Sequence, residues 1–130
     1  MSLHSSAAYA KLEVSVRCLI VDDSDEFVAS AARLLGSQGL DVVGSASDGA
    51  RALELAGSLI PDVALVDIEL GEEDGIELSH VFAAQAPATR VVLISSYDQA
   101  DLGDLISRSP AVGFLPKTDL GAAEIRAILA

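Results

Sequence analysis

Four places in this chain carry side chains able to do chemistry together, and they lie far apart in the sequence. They are the pair Asp22-Asp23, the single Asp67, the hydroxyls Ser95-Ser96 and the ammonium group of Lys117. Taken one at a time each has an ordinary explanation: strand-end acids and serines often cap a helix or begin a turn, and a lone lysine is usually a loop charge. Brought together they would form something else. Three carboxylates within a few ångströms raise one another's pKa values unless a cation sits among them. A hard divalent ion such as Mg²⁺ answers that need, because it takes oxygen ligands from one or two carboxylates, waters and phosphate oxygens. Lys117 would add a mobile point charge and Ser95 a hydroxyl donor. These are the parts required to hold three equatorial phosphoryl oxygens while an in-line nucleophile attacks. Asp67 is the candidate nucleophile and would form an aspartyl phosphate.

Every one of these groups follows a short apolar run. Val16 to Val21 ends in Asp22-Asp23, Asp62 to Val66 in Asp67, Val91 to Ile94 in Ser95, and Val112 to Leu115 in Pro116-Lys117. Runs of this length, rich in β-branched residues, are patterned as strands buried on both faces of a parallel sheet. A further strand, Leu40 to Ala46, alternates partly and belongs nearer an edge. Between the strands lie helical patterns: Phe27, Val28, Ala31, Leu34 and Leu35; Ala52, Leu53, Leu55 and Ala56; Ile76, Leu78, Val81 and Phe82; a weaker one over Asp98 to Ser107; and Leu120, Ile125, Ile128 and Leu129. Ser24 or Asp23, Asp48, and Thr118 or Asp119 are the expected caps of the first, second and last helices. Residues 71–75 are expected to be a polar loop. Strand and helix therefore alternate through short connections, which specifies an α/β fold with a parallel sheet and helices on both faces. All strand carboxyl ends then share one edge, where open α/β sheets bind their ligands.

Composition narrows the function classes. The chain of 130 residues is 51% hydrophobic, enough for one domain with its own core. Only 8 basic residues oppose 20 acids, so a net charge of −12 argues against a nucleic-acid surface, which draws its affinity from Lys and Arg. No apolar stretch approaches the roughly 20 residues needed to cross a bilayer. The single Cys18 sits in an apolar run and reads as a core side chain. Residues 1–15 read as a disordered tail with His4 in it, and residues 16–130 as the folded domain; His80 reads as a surface residue.

The order Asp22-Asp23, Asp67, Ser95, then Phe114-Leu115-Pro116-Lys117 resembles the receiver domain of two-component response regulators, from about Val16 to the end of the chain. The resemblance implies a flavodoxin-like (βα)5 fold, a doubly wound parallel five-stranded sheet of strand order 2-1-3-4-5. It implies phosphoryl transfer from a sensor histidine kinase onto Asp67, with Lys117 and Ser95 as the assisting groups. Mg²⁺ would be held by Asp23, Asp67 and the backbone carbonyl of Glu69, with Asp22 acting mainly through water. Ser95 and Phe114 would form the switch: the serine turns toward the phosphoryl oxygen, the ring fills the vacated space, and the surface of the fourth helix, fifth strand and last helix repacks. Such a domain catalyses its own phosphorylation and dephosphorylation without being a conventional enzyme, and works in the cytoplasm. Pro116 would precede Lys117 through a cis bond that aims the ammonium inward. The segment from Gly113 to Leu120 resembles that of regulators carrying a LuxR-type helix-turn-helix, so transcription control is the implied output, with DNA reached only through a further domain. A phosphorylation-dependent homodimer is open on the same grounds.

Some positions depart from the family's commonest pattern. Ser95 stands where Thr is usual, Phe114 where Tyr is frequent, Gly71 where a Pro often follows, and Glu69 where amides are common; Tyr97 lies two residues past Ser95. Glu69 and Tyr97 flank the site and bear on how water reaches a phosphoryl group. Other classes fit less well. A phosphatase of the haloacid dehalogenase type needs a second acid two places after a nucleophile on the first strand, where Asp22 is followed by Ser24. A dinucleotide site lacks its G-x-G-x-x-G and a P-loop its G-K-[ST]. The remaining competitor is a receiver-like module that works by protein contacts without phosphorylation.

Overall fold

Residues 15–97 and 102–130 are described by the computed structural model. Five strands form one parallel sheet: β1 (Arg17–Val21), β2 (Asp41–Ala46), β3 (Val63–Asp67), β4 (Arg90–Ser95) and β5 (Gly113–Pro116). Their spatial order is β2-β1-β3-β4-β5, the doubly wound order the resemblance implies. The helices are α1 (Asp25–Ser37), α2 (Gly49–Leu59), α3 (Gly75–Gln85), α4 (Gly103–Arg108) and α5 (Ala122–Leu129).

The continuous apolar runs occupy the middle of the sheet because they alone can be buried on both faces. Every residue of β3 is buried, and so are all but the first of β1 and β4. Alternate residues serve opposite cores. Leu19, Val21, Ala64, Val66 and Leu93 meet Ala52 and Ala56 of α2 and Ile76, Leu78 and Phe82 of α3, with Leu102 and Ile106 at the margin. Cys18, Ile20, Val63, Leu65, Val92 and Ile94 meet Ala31 and Leu35 of α1 and Ala122 and Ile125 of α5. The sheet is thus clad on both sides, and its charged residues collect at the ends of the strands.

Several local expectations need correction. Leu34 is exposed, since Ala31 and Leu35 already complete the buried stripe of α1. Part of the expected loop forms a short antiparallel ribbon, Glu69–Leu70 against Glu73–Asp74, turning through Gly71 at φ +59°. Neither Thr118 nor Asp119 caps α5: Lys117–Asp119 is a 3₁₀ turn, Gly121 precedes the helix without a side-chain cap, and Gln38 Oε1 accepts from the Ala122 N–H at 2.7 Å instead. Leu120 therefore lies before that helix. No peptide bond among the described residues is cis, so Pro116 is trans, and the 3₁₀ turn directs Lys117. Among the described residues the fourth helix runs over Gly103–Arg108 and leaves Leu105 exposed; residues 98–101, where the expected helix starts, lie outside the described residues, as do 1–14 of the expected tail.

Candidate functional site

The acids reach one edge because parallel registration carries them there. Cys18 pairs with Val63, so Val21 pairs with Val66, and the next residue on each strand is an aspartate. Asp67 lies opposite Ile94, one residue short of Ser95, and Ser95 lies opposite Pro116, one residue short of Lys117. Asp22, Asp23 and Asp67 each offer a carboxylate oxygen, and these atoms all lie within 4.8 Å of one another. Asp22 and Asp67 are buried and Asp23 is exposed, so the cluster opens to solvent on one side.

Local hydrogen bonds fix each member. Asp22 Oδ1 accepts from the Ser24 N–H at 2.9 Å, while Ser24 Oγ accepts from the Phe27 N–H at 3.2 Å and begins α1. Asp67 Oδ1 accepts from the Glu69 N–H at 3.1 Å, which holds the ribbon against the acid. Gly75 makes the closest approach from below: its N–H donates to the Ile68 carbonyl at 2.8 Å, and a Cβ there would lie 2.1 Å from the Asp67 carbonyl oxygen.

Lys117 crosses the cluster. Its Nζ stands 2.6 Å from Asp22 Oδ2 and 3.3 Å from Asp67 Oδ2, and 4.2 Å from the centroid of the Phe27 ring. The contact with Asp22 is an ion pair of poor alignment, because Asp22 Oδ2 is buried without a hydrogen bond of good geometry. Burial, the backbone N–H of Glu69 and the charges around it leave Asp67 with its pKa raised from 3.8 to about 6; desolvation is the main cause, Asp22 adds to it, and Lys117 opposes it. For Lys117 burial works against the ammonium, but the two carboxylates outweigh it and hold its pKa above the usual lysine value. An all-oxygen donor set with a buried, poorly satisfied carboxylate oxygen fits a hard cation such as Mg²⁺.

Ser95 is buried; its hydroxyl donates to Glu69 Oε1 at 3.3 Å and accepts from the Tyr97 N–H at 3.1 Å. Glu69 thus faces the serine with its side chain and Asp67 with its N–H. Phe114 is half-buried against the core under α2 and α3, two residues before Pro116. His80 is exposed on α3, as expected. Two participants were hidden from the sequence. Phe27 had the spacing of a core-facing helix residue, and nothing in periodicity tells a ring over an aliphatic neighbour from a ring under an ammonium. Glu73 accepts from the Gly49 N–H at 3.1 and 3.3 Å, tying the ribbon to the start of α2 across 24 residues, a pairing visible only once the chain is folded.

Known proteins resemble this chain in sequence and in fold. A family model, the response regulator receiver domain, matches residues 18–130. The probable transcriptional regulatory protein NarL of Mycobacterium tuberculosis is 36% identical over 115 residues, which cover 88% of this chain and 53% of that protein. The chain therefore spans about half the length of this relative. The structure of the signal receiver domain of the putative response regulator NarL from the same species has 35% identity and a TM-score of 0.77, covering 88% of this chain and 94% of that one. A response regulator protein from Burkholderia pseudomallei, solved with a phosphorylated aspartic acid, a calcium ion and citrate, has 26% identity and a TM-score of 0.77, covering 89% of this chain and 67% of that one. With the family model spanning nearly all of the sheet and its acidic edge, the chain belongs to the response regulator receiver domains.

Proposed function

We propose that this domain takes a phosphoryl group from the phosphohistidine of a sensor histidine kinase onto Asp67, in a Mg²⁺-dependent reaction, and relays the event by repacking Ser95 and Phe114. The observation that carries the reading is the meeting of Asp67, two further aspartates and Lys117 on one strand edge. The phosphorylated aspartic acid and bound calcium in the Burkholderia relative lend support.

In the transfer an Asp67 carboxylate oxygen forms the new P–O bond as the P–N bond to the donor imidazole breaks; the ring leaves with the electron pair as a neutral imidazole, because its other ring nitrogen already carries a proton. Asp67 is 5% exposed, so few waters compete with the phosphoryl donor. The Glu69 N–H orients the carboxylate by holding Oδ1. Lys117 already faces Oδ2 and can follow the charge onto a phosphoryl oxygen with a small movement. Asp23, Asp67 and the Glu69 carbonyl are the groups that would hold Mg²⁺, with Asp22 contributing through water. When bound, the ion neutralises charge on the phosphoryl oxygens.

The switch follows from the contacts of Ser95. To donate to a phosphoryl oxygen its hydroxyl must leave Glu69, and Phe114, on the neighbouring strand, moves into the space it frees. The surface that changes is α4, β5 and α5, a bistable packing biased by a local charge. In a longer parent chain this surface would control transcription through a DNA-binding output domain, as the name of the NarL relative suggests. The test is intact mass after incubation with Mg²⁺ and acetyl phosphate. One added phosphoryl group in the parent, absent in Asp67→Asn and after EDTA, supports the reading. No adduct from either acetyl phosphate or a phosphorylated kinase would favour a module that acts by contact alone.

A further inference from the structure

We infer that Phe27 is a positioning residue for the phosphoryl-transfer site, holding the Lys117 ammonium against the acids through the face of its ring. The inference rests on the reading of Asp67 as phosphoryl acceptor but concerns a contact that exists without it.

Lys117 extends from the 3₁₀ turn after β5 and would, unrestrained, have a four-carbon stem with many rotamers. Its side chain is nevertheless only 14% exposed. Two of its neighbours are the carboxylates of Asp22 and Asp67, and the third is the Phe27 ring, 4.2 Å from Nζ to centroid. That lies well inside the range of about 6 Å at which a ring quadrupole attracts a cation, and the attraction grows as water is excluded. The ring covers one side of the ammonium without offering a competing anion. A carboxylate in the same place would draw Lys117 away from Asp67; an aliphatic side chain would exclude water but attract nothing.

The ring is itself held by the acid it helps to serve. Asp22 Oδ1 accepts from the Ser24 N–H, Ser24 Oγ accepts from the Phe27 N–H, the Phe27 ring carries Lys117, and Lys117 returns to Asp22 Oδ2. The first turn of α1 and the turn after β5 are thereby joined in one closed circuit, although 90 residues separate Phe27 from Lys117 (117 − 27). The circuit fixes where the ammonium waits before any phosphoryl group arrives, so the charge needs little reorganisation when it does.

The experiment uses the whole chain with Phe27→Leu, Phe27→Tyr and a trifluorinated phenylalanine at position 27, which keeps the ring's shape while removing the negative charge of its face. The first readout is the ¹⁵N-edited signal of the Lys117 ammonium without metal, which is visible only when the group is held and its protons exchange slowly. The parent and Phe27→Tyr should show it; Phe27→Leu and the fluorinated ring should lose it. The second readout is the initial rate of phosphorylation by acetyl phosphate at saturating Mg²⁺, expected to fall about tenfold in the same two variants, a loss in the range of a desolvated cation–π contact, with Phe27→Tyr near the parent. A signal and a rate unchanged by the fluorinated ring would overturn the inference. Loss of the ammonium signal in a chain that takes no phosphate would uphold the contact and refute the reading of Asp67, so the two failures are distinguishable.

Discussion

Asp67 is a carboxylate placed where water would not place it, and this strain is measurable without any phosphodonor. Its folded pKa of about 6 exceeds the ordinary 3.8, so the contribution of Asp67 to metal-free stability is complete below pH ~4, where the acid is protonated in both states, and is lost as pH rises through about 6. Asp67→Asn removes the penalty: in EDTA at pH 7 the variant should be more stable by about 1–3 kcal/mol in urea unfolding, with a flatter profile between pH 4 and 7. An unchanged profile would mean that the surroundings do not disfavour the charge. Cys18 gives a companion test far from the acids. Burial pushes its thiol from 9.0 up to about 12, so a maleimide at pH 8 should leave the native protein unlabelled and label it in urea. Its contribution to stability is complete below pH ~9 and is lost between there and about 12, so Cys18→Ala should flatten that part of the alkaline unfolding profile. At this scale the sequence revealed residue types well. Asp22, Asp23, Asp67, Ser95 and Lys117 could be named because each ends an apolar run, whereas Phe27 could not, because its partner arrives from the other end of the chain.

The elements were legible where period and caps agreed. β1, β3 and β4 stood out as uninterrupted apolar runs, and Ser24 and Asp48 cap their helices with side-chain oxygens, as their types require. Legibility failed where tertiary contacts replaced local signals. The start of α5 is satisfied by Gln38 from another helix, so Thr118 and Asp119, though good capping types, are not used. The segment after Asp67 is polar enough for a loop, yet Glu73 bonded to α2 and Asp74 capping α3 shape it into a ribbon. Two expectations follow from this segment. Gly75→Ala places a methyl 2.1 Å from the Asp67 carbonyl oxygen, so the strand end or α3 must shift; thermal unfolding should show a loss of about 2–4 kcal/mol. Glu73→Ala removes a charged acceptor from the first turn of α2 and should lower stability by about 0.5–1.5 kcal/mol while leaving the sheet's far-UV signature intact.

Across the molecule, one geometric fact turns scattered residues into a site: parallel strands put all their carboxyl ends on one edge. The fold was readable because both the alternation of strands and helices and the burial of the central runs are written in the sequence. The trans bond before Lys117 and the exposed Leu34 were not, since both depend on how neighbouring elements pack. If the acidic edge takes a hard cation, binding must stabilise the native state by mass action. Mg²⁺ at 100 times its dissociation constant should add about 2.7 kcal/mol and raise the unfolding midpoint by roughly 5–10 °C. Asp23→Asn, an exposed change, should remove most of that rise without altering stability in EDTA much. The central claim is that Asp67 carries the phosphoryl group. It is tested most directly by phosphorylating the chain in Mg²⁺, reducing the acyl phosphate with borohydride and sequencing the peptides by mass spectrometry. Homoserine at position 67 is the predicted result. Homoserine at Asp22 or Asp23 instead, or aspartate unchanged at 67 in a chain that has gained phosphate, would contradict it.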